Sequence, residues 1–84
     1  MKQTYRVVGL KDGDVFVAQV LEVDVSAQGS SFDEALERLK VALNAEGREA
    51  ELKGRDIQDL LRPAPKIFHD LYEDHPQYRE KLVA

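Results

Sequence analysis

Six carboxylates in the first half of the chain, Asp12, Asp14, Glu22, Asp24, Asp33 and Glu34, are the side chains with the most chemical scope. Convergent carboxylates bind hard divalent ions, and a magnesium ion held that way can drive phosphodiester cleavage. Four of the six have a structural use that requires no metal. Asp12 and Asp14 flank Gly13 in a turn sequence, and Asp33 and Glu34 open a helix, where the backbone dipole favours negative charge. That leaves Glu22 and Asp24 at a strand corner, too few for a catalytic centre.

The other reactive residue types are scattered in the same way. His69 and His75 are six apart, which fits neither the i, i+4 pair of a zinc-binding helix nor the usual three-to-five-residue gap between paired ligands. The chain has no cysteine, which excludes disulfides, thiolate metal sites and cysteine nucleophiles. Ser26, Ser30 and Ser31 lack a nucleophile-elbow context, and Gly9, Gly13 and Gly29 form no phosphate-binding loop. The expectation is a protein that is not an enzyme, with no catalytic, cofactor or metal-binding residues.

Composition narrows the remaining classes. The 84 residues are 43% hydrophobic and 33% charged, with charge spread along the chain, as in one folded domain whose modest core leans on a partner subunit. Twelve basic against sixteen acidic residues give a net charge of −4, which argues against broad electrostatic capture of nucleic acid. No apolar run approaches the roughly 18 to 20 residues that span a bilayer. The opening Met-Lys-Gln-Thr-Tyr-Arg shows no signal-peptide core, so no membrane association and a cytoplasmic location are expected.

The elements that must position these residues follow from periodicity. Thr4 to Leu10 and Val15 to Val23 are rich in β-branched and aromatic residues, and Lys11-Asp12-Gly13-Asp14 between them reads as a hairpin turn. Asp12-Gly13 supplies residues that tolerate positive φ. On the second strand Phe16, Ala18 and Val20 point one way and Val15, Val17 and Leu21 the other, so both faces carry apolar groups. A third strand, Val25 to Gln28, stops at Gly29.

Ser31 has Glu34 three residues on, a capping box that starts a helix at Phe32. Its stripe is Phe32, Ala35, Leu36, Leu39, Ala42 and Leu43; it could stop at Gly47 or, as favoured here, at Gly54. Asp56 caps a short helix through Leu61, and Pro63-Ala64-Pro65 forces an extended joint. Pro65 opens a further helix with four-residue pairs Ile67/Leu71 and Phe68/Tyr72, and a last helical turn or two from Pro76 to Leu82 pairs Tyr78 with Leu82. The fold class is α+β: a three-stranded antiparallel sheet packed by one long helix in residues 1–54, then a helical extension, 55–84, within the same single domain.

The ordered run from Val17 through Leu36, and within it Gln28-Gly29 followed by Glu34-Ala35-Leu36, resembles the signature of HicB-like antitoxin-related proteins. The resemblance runs from Tyr5 to about Leu43. It implies a sheet backed by one long helix, kin in shape to double-stranded RNA-binding domains and to part of the ribonuclease H fold, and assembly as a dimer or tetramer. It also implies that some members neutralise a HicA-type mRNA-cleaving toxin, and that many carry a C-terminal DNA-binding appendage. Residues 46–84 match neither a helix-turn-helix nor a ribbon-helix-helix appendage, which puts operator binding in doubt.

Shape kinship to RNA-binding domains makes Arg6, Lys11, Arg38 and Lys40 a conceivable RNA surface, although their acidic neighbours favour a solvated mixed-charge one. Val15, Val17, Leu21, Ile67, Phe68, Leu71 and Tyr72 are the candidate oligomer or partner interface. The C-terminal apolar set, with Tyr78 and Leu82, reads equally well as core filling or as an arm that clasps a second chain. The function expected is a non-catalytic, homo-oligomeric interaction module with a HicA-like toxin as candidate partner, the alternative being a stand-alone oligomer that binds RNA or another ligand. The capping box generates a direct test: Ser31→Ala should lower stability by about 0.5 to 2 kcal/mol, read from chemical denaturation.

Overall fold

The computed structural model describes residues 3–74 and 78–84. Four strands and three helices follow in the order β1 (Thr4–Asp12), β2 (Val15–Val20), β3 (Ser26–Gly29), α1 (Phe32–Leu52), α2 (Ile57–Leu60), α3 (Lys66–Asp74) and β4 (Arg79–Val83). All strand pairs are antiparallel, and the sheet order is β3-β2-β1-β4. The protein is therefore α+β, but with four strands where three were expected.

The additional strand is the main correction to the sequence reading. Residues 79–83, expected within helical turns from Pro76 to Leu82, instead pair with β1, Tyr5 opposite Leu82 and Arg6 opposite Lys81. Pro76, like His75, lies outside the described residues. Without β4 the outer edge of β1 would present unpaired N–H and C=O groups beside the core, and pairing satisfies them. The ladder continues past the strand: Gln3 N–H donates to the Ala84 carbonyl (2.8 Å) and Ala84 N–H to that of Gln3 (2.9 Å). Tyr78 and Leu82, expected to pair along a helix, part instead: Leu82 lies in β4 and packs against the core, while Tyr78, just before the strand, packs on Phe16 and Phe32.

The β1–β2 hairpin is tighter than its sequence suggests. Asp12 is the last residue of β1 and pairs with Val15, so the loop is Gly13-Asp14, and Gly13 alone takes positive φ (63°). A positive φ at the first central position only is a glycine-led two-residue turn whose twist suits the strands. The register sets Val20 opposite Val7 and Ala18 opposite Gly9 on the face that α1 covers, with Phe16 opposite Lys11. Tyr5, Val7, Ala18, Val20, Ala35, Leu39 and Leu43 form the centre of the core there.

β2 ends at Val20, three residues short of the expected Val23, because the chain turns out of the sheet at residues 21–25. Gln19 holds that corner. Its amide Nε2 donates to the Val20 carbonyl (3.0 Å), to Asp24 Oδ1 (3.0 Å) and, more weakly, to the Val25 carbonyl (3.3 Å), which satisfies a side chain only 4% exposed.

The α1 start is as its residues indicate. Glu34 N–H donates to Ser31 Oγ (3.1 Å), while the Glu34 carboxylate accepts from the backbone N–H of Ser30 (2.9 Å), one residue earlier than a standard box. Gly54, at φ 65°, follows the end of α1 at Leu52 and the cap residue Lys53, as favoured over Gly47. Asp56 sits at the N-cap of α2 but makes no side-chain cap bond, contrary to its expected role.

Two glycines matter because backbone and side chain meet over them. A Cβ at Gly29 would lie 2.7 Å from the Ala35 backbone nitrogen and 2.9 Å from Glu34 Cβ, so β3 and the first turn of α1 touch only because residue 29 has no side chain. A Cβ at Gly9 would collide with the Phe32 ring, lying 2.6 Å from Cδ1, and would sit 2.9 Å from Tyr78 Cβ. Phe16, Phe32 and Tyr78 form an aromatic cluster there, with Tyr78 at centroid distances of 5.7 Å from each of the others.

Gly9→Ala should therefore cost about 1 to 3 kcal/mol by overpacking, seen as a lower denaturation midpoint at unchanged slope. The cap generates a pH effect. The bond from Ser30 N–H, then the Arg38 guanidinium, holds the Glu34 carboxyl below its ordinary value of 4.5. Its contribution is thus present above that value and lost as pH falls through the lowered one. Denaturation midpoints followed from neutral pH into acid should fall less steeply below pH 4.5 in Glu34→Gln than in the parent chain.

Candidate functional site

The sheet face away from α1 is built from the alternate residues of the same strands. Val8 and Leu21 are buried there, and α3 packs across β1 on that side. What fixes α3 is the corner at residues 21–25. Asp24 N–H donates to the Arg62 carbonyl (2.6 Å) and Ala64 N–H to the Leu21 carbonyl (3.0 Å), so the proline joint is pinned to the sheet before α3 begins.

Arg6 adds a second anchor. Its Nε donates to Glu22 Oε2 (2.7 Å) and its backbone N–H to Glu22 Oε1 (2.9 Å), and the hydrogen bond to Glu22 raises the guanidinium pKa further above its ordinary value. Two guanidinium groups then approach the Tyr72 ring of α3, Arg6 at 5.8 Å and Arg79 at 5.3 Å from its centroid. Arg79 Nη1 also donates to the Tyr72 carbonyl (3.0 Å), tying α3 to β4.

The candidate interface residues divide accordingly. Phe68, Leu71 and Tyr72 are half-buried beneath α3, so the C-terminal segment covers its own sheet. Leu21 has no exposed surface left to offer a partner, and Val17 is half-buried. Ile67 faces solvent at 62% exposure, and Val15 at 39%.

The candidate chemistry does not converge. Glu22 is bound by Arg6, Asp24 by Gln19, and Glu34 by Ser30 and Arg38. Among the described residues no group of three or more His, Cys, Asp or Glu side chains is placed to hold a metal ion. His69 is half-buried on α3, and His75 lies outside the described residues. The four cations considered for RNA are dispersed: Arg6 is held by Glu22, Lys11 sits 5.6 Å from the Phe16 ring centroid, and Arg38 reaches Glu34 (3.4 Å) and the Gln28 carbonyl (2.9 Å). Lys40, the fourth, lines a concave site.

That site is a cleft of about 670 Å³ between the second half of α1, α2 and the β1–β4 edge, and the sequence reading did not foresee it. Tyr5, Leu43, Ala50 and Ile57, all buried, give it an apolar floor. Lys40, Arg48 and Arg55 stand around it with Asn44, Glu51 and Asp56. Burial, then the charges of Glu22 and Asp56, pushes the Tyr5 phenol above its ordinary value, so it is a neutral hydrogen-bonding group at physiological pH. A trace was present in the sequence: Lys40, Asn44, Gly47, Arg48 and Glu51 recur at helical spacing beside the apolar stripe. The walls supplied by α2 and β4 leave no such trace.

Compared with family models, curated proteins and solved structures, the chain matches none of them. No helix among the described residues is long and apolar enough to cross a membrane.

The orientation of α3 can be tested residue by residue. Phe68→Ala and Leu71→Ala should each cost about 1 to 3 kcal/mol, less than a fully buried position, while Ile67→Ala should stay within about 0.5 kcal/mol of the parent by chemical denaturation.

Proposed function

We propose that the chain is a non-catalytic protein-interaction module of the HicB-like, antitoxin-related class, acting as a homo-oligomer and covering the active surface of a HicA-type mRNA-cleaving toxin. The observation that supports this best is the contact at Gly29. The residues that carry the resemblance, Gln28-Gly29 and Glu34-Ala35, come together where β3 turns against the first turn of α1. Their order and spacing thereby acquire a common structural cause.

The strand-strand-strand-helix order over Thr4–Leu52 agrees with the shape that the resemblance implies. The C-terminal segment is spent on covering the second sheet face and flanking β1, which favours a role in protein interaction over operator binding. Among the described residues the outer edge of β3 is unpaired, and with Val15 and Ile67 exposed it leaves surface for a second chain.

A second reading, a stand-alone oligomer that binds a ligand, draws its support from the cationic cleft. The first reading expects a small basic protein encoded beside this one; co-expression with it, followed by size exclusion with light scattering, separates the two. The first reading expects a stable complex in which RNA cleavage by the partner is suppressed. An oligomer with no toxin-sized neighbour, or no complex with it, removes the first reading.

A further inference from the structure

Gly47 lies within α1, five residues before its end, where glycine costs about 0.5 to 1 kcal/mol relative to alanine. Among the described residues nothing calls for it: a Cβ built there meets no atom within 4 Å, in contrast to Gly9 and Gly29. Its φ is not positive, so backbone conformation does not call for it either. The space left by the missing side chain opens into the cleft, which Gly47 lines. Glycine commonly stands where a ligand approaches the backbone closely.

The surroundings of that space specify the ligand. Lys40, Arg48 and Arg55 make no ion pair among the described residues, although other cations of the chain do. They stand at the rim with the carboxylates of Glu51 and Asp56, three cations gathered in a chain whose overall charge is −4. Below them the floor is apolar, and the volume lies in the range of small-molecule sites.

We infer that this cleft binds a small organic anion, its apolar body against Leu43, Ile57 and the Gly47 backbone and its acidic group among Lys40, Arg48 and Arg55. This extends the ligand-binding reading but is independent of any toxin. The site lies on the α1 side of the sheet, away from α3, and binding is measured on the isolated protein, so failure of the toxin complex leaves it standing.

The experiment uses anilinonaphthalene sulfonate, an aromatic anion whose fluorescence rises on binding, together with amide chemical-shift mapping. One saturable site per chain is expected, with shifts concentrated at residues 44–51 and 55–57. Gly47→Ala should raise the melting temperature by roughly 2 to 8 °C, which shows that the glycine is not kept for stability. Gly47→Leu, a good helix former that fills the space, and Arg48→Gln should each weaken dye binding by about tenfold while the protein remains folded. Displacement by benzoate or by inorganic phosphate distinguishes a carboxylate site from a phosphate site. Non-saturable binding, unchanged affinity in both variants, shifts centred on α3, or failure of both anions to displace the dye would each overturn the assignment.

Discussion

At Val7 and Val8 β1 has neither a free edge nor a bare face, and the other elements are arranged around that constraint. β2 and β4 bond its two edges, α1 covers Tyr5 and Val7 on one side, and α3 covers Val8 on the other. A strand buried on both faces must be apolar at consecutive positions rather than alternating, as Val7-Val8 is. It must also be thin where layers press closest, which is the place of Gly9 beneath the Phe32 ring. In so small a chain the segment after Gly54 is divided between the second face, covered by α3, and the free edge of β1, closed by β4.

Local signals were legible wherever one turn of chain carries its own cause. Ser31 and Glu34 mark the helix start because both partners lie within four residues, and Gly13 and Gly54 mark turns because their φ is positive. β4 was illegible for the opposite reason. Arg79-Glu80-Lys81 has helix-forming side chains, and only the open edge of β1, distant in sequence, makes a strand of it. Charged residues on such an outer strand also discourage further pairing.

The same division applies to the candidate site. The apolar pairs of α3 were visible as spacing, but which members turn inward depends on the corner at Leu21 to Val25 and its bonds to Arg62 and Ala64. Glu22 and Asp24, which invited a catalytic reading, are consumed by this corner. The cleft was less visible still, since its floor joins Tyr5 to Ile57 and its rim draws on α1 and the loop before α2. Gly47 was weighed only as a helix terminator.

The pairing of β1 with β4 has a consequence for how the chain is made. Its contacts span nearly the whole sequence, from Gln3 to Ala84, so they raise the contact order and carry a large loop-closure cost. During synthesis β1 and β2 can form their hairpin early, whereas the outer edge of β1 stays unpaired until residues 79–83 emerge. For that interval the nascent chain exposes a β-branched strand edge while neighbouring copies are produced on the same message. Residues 79–83 thus decide whether that edge closes within its own chain or is captured by another.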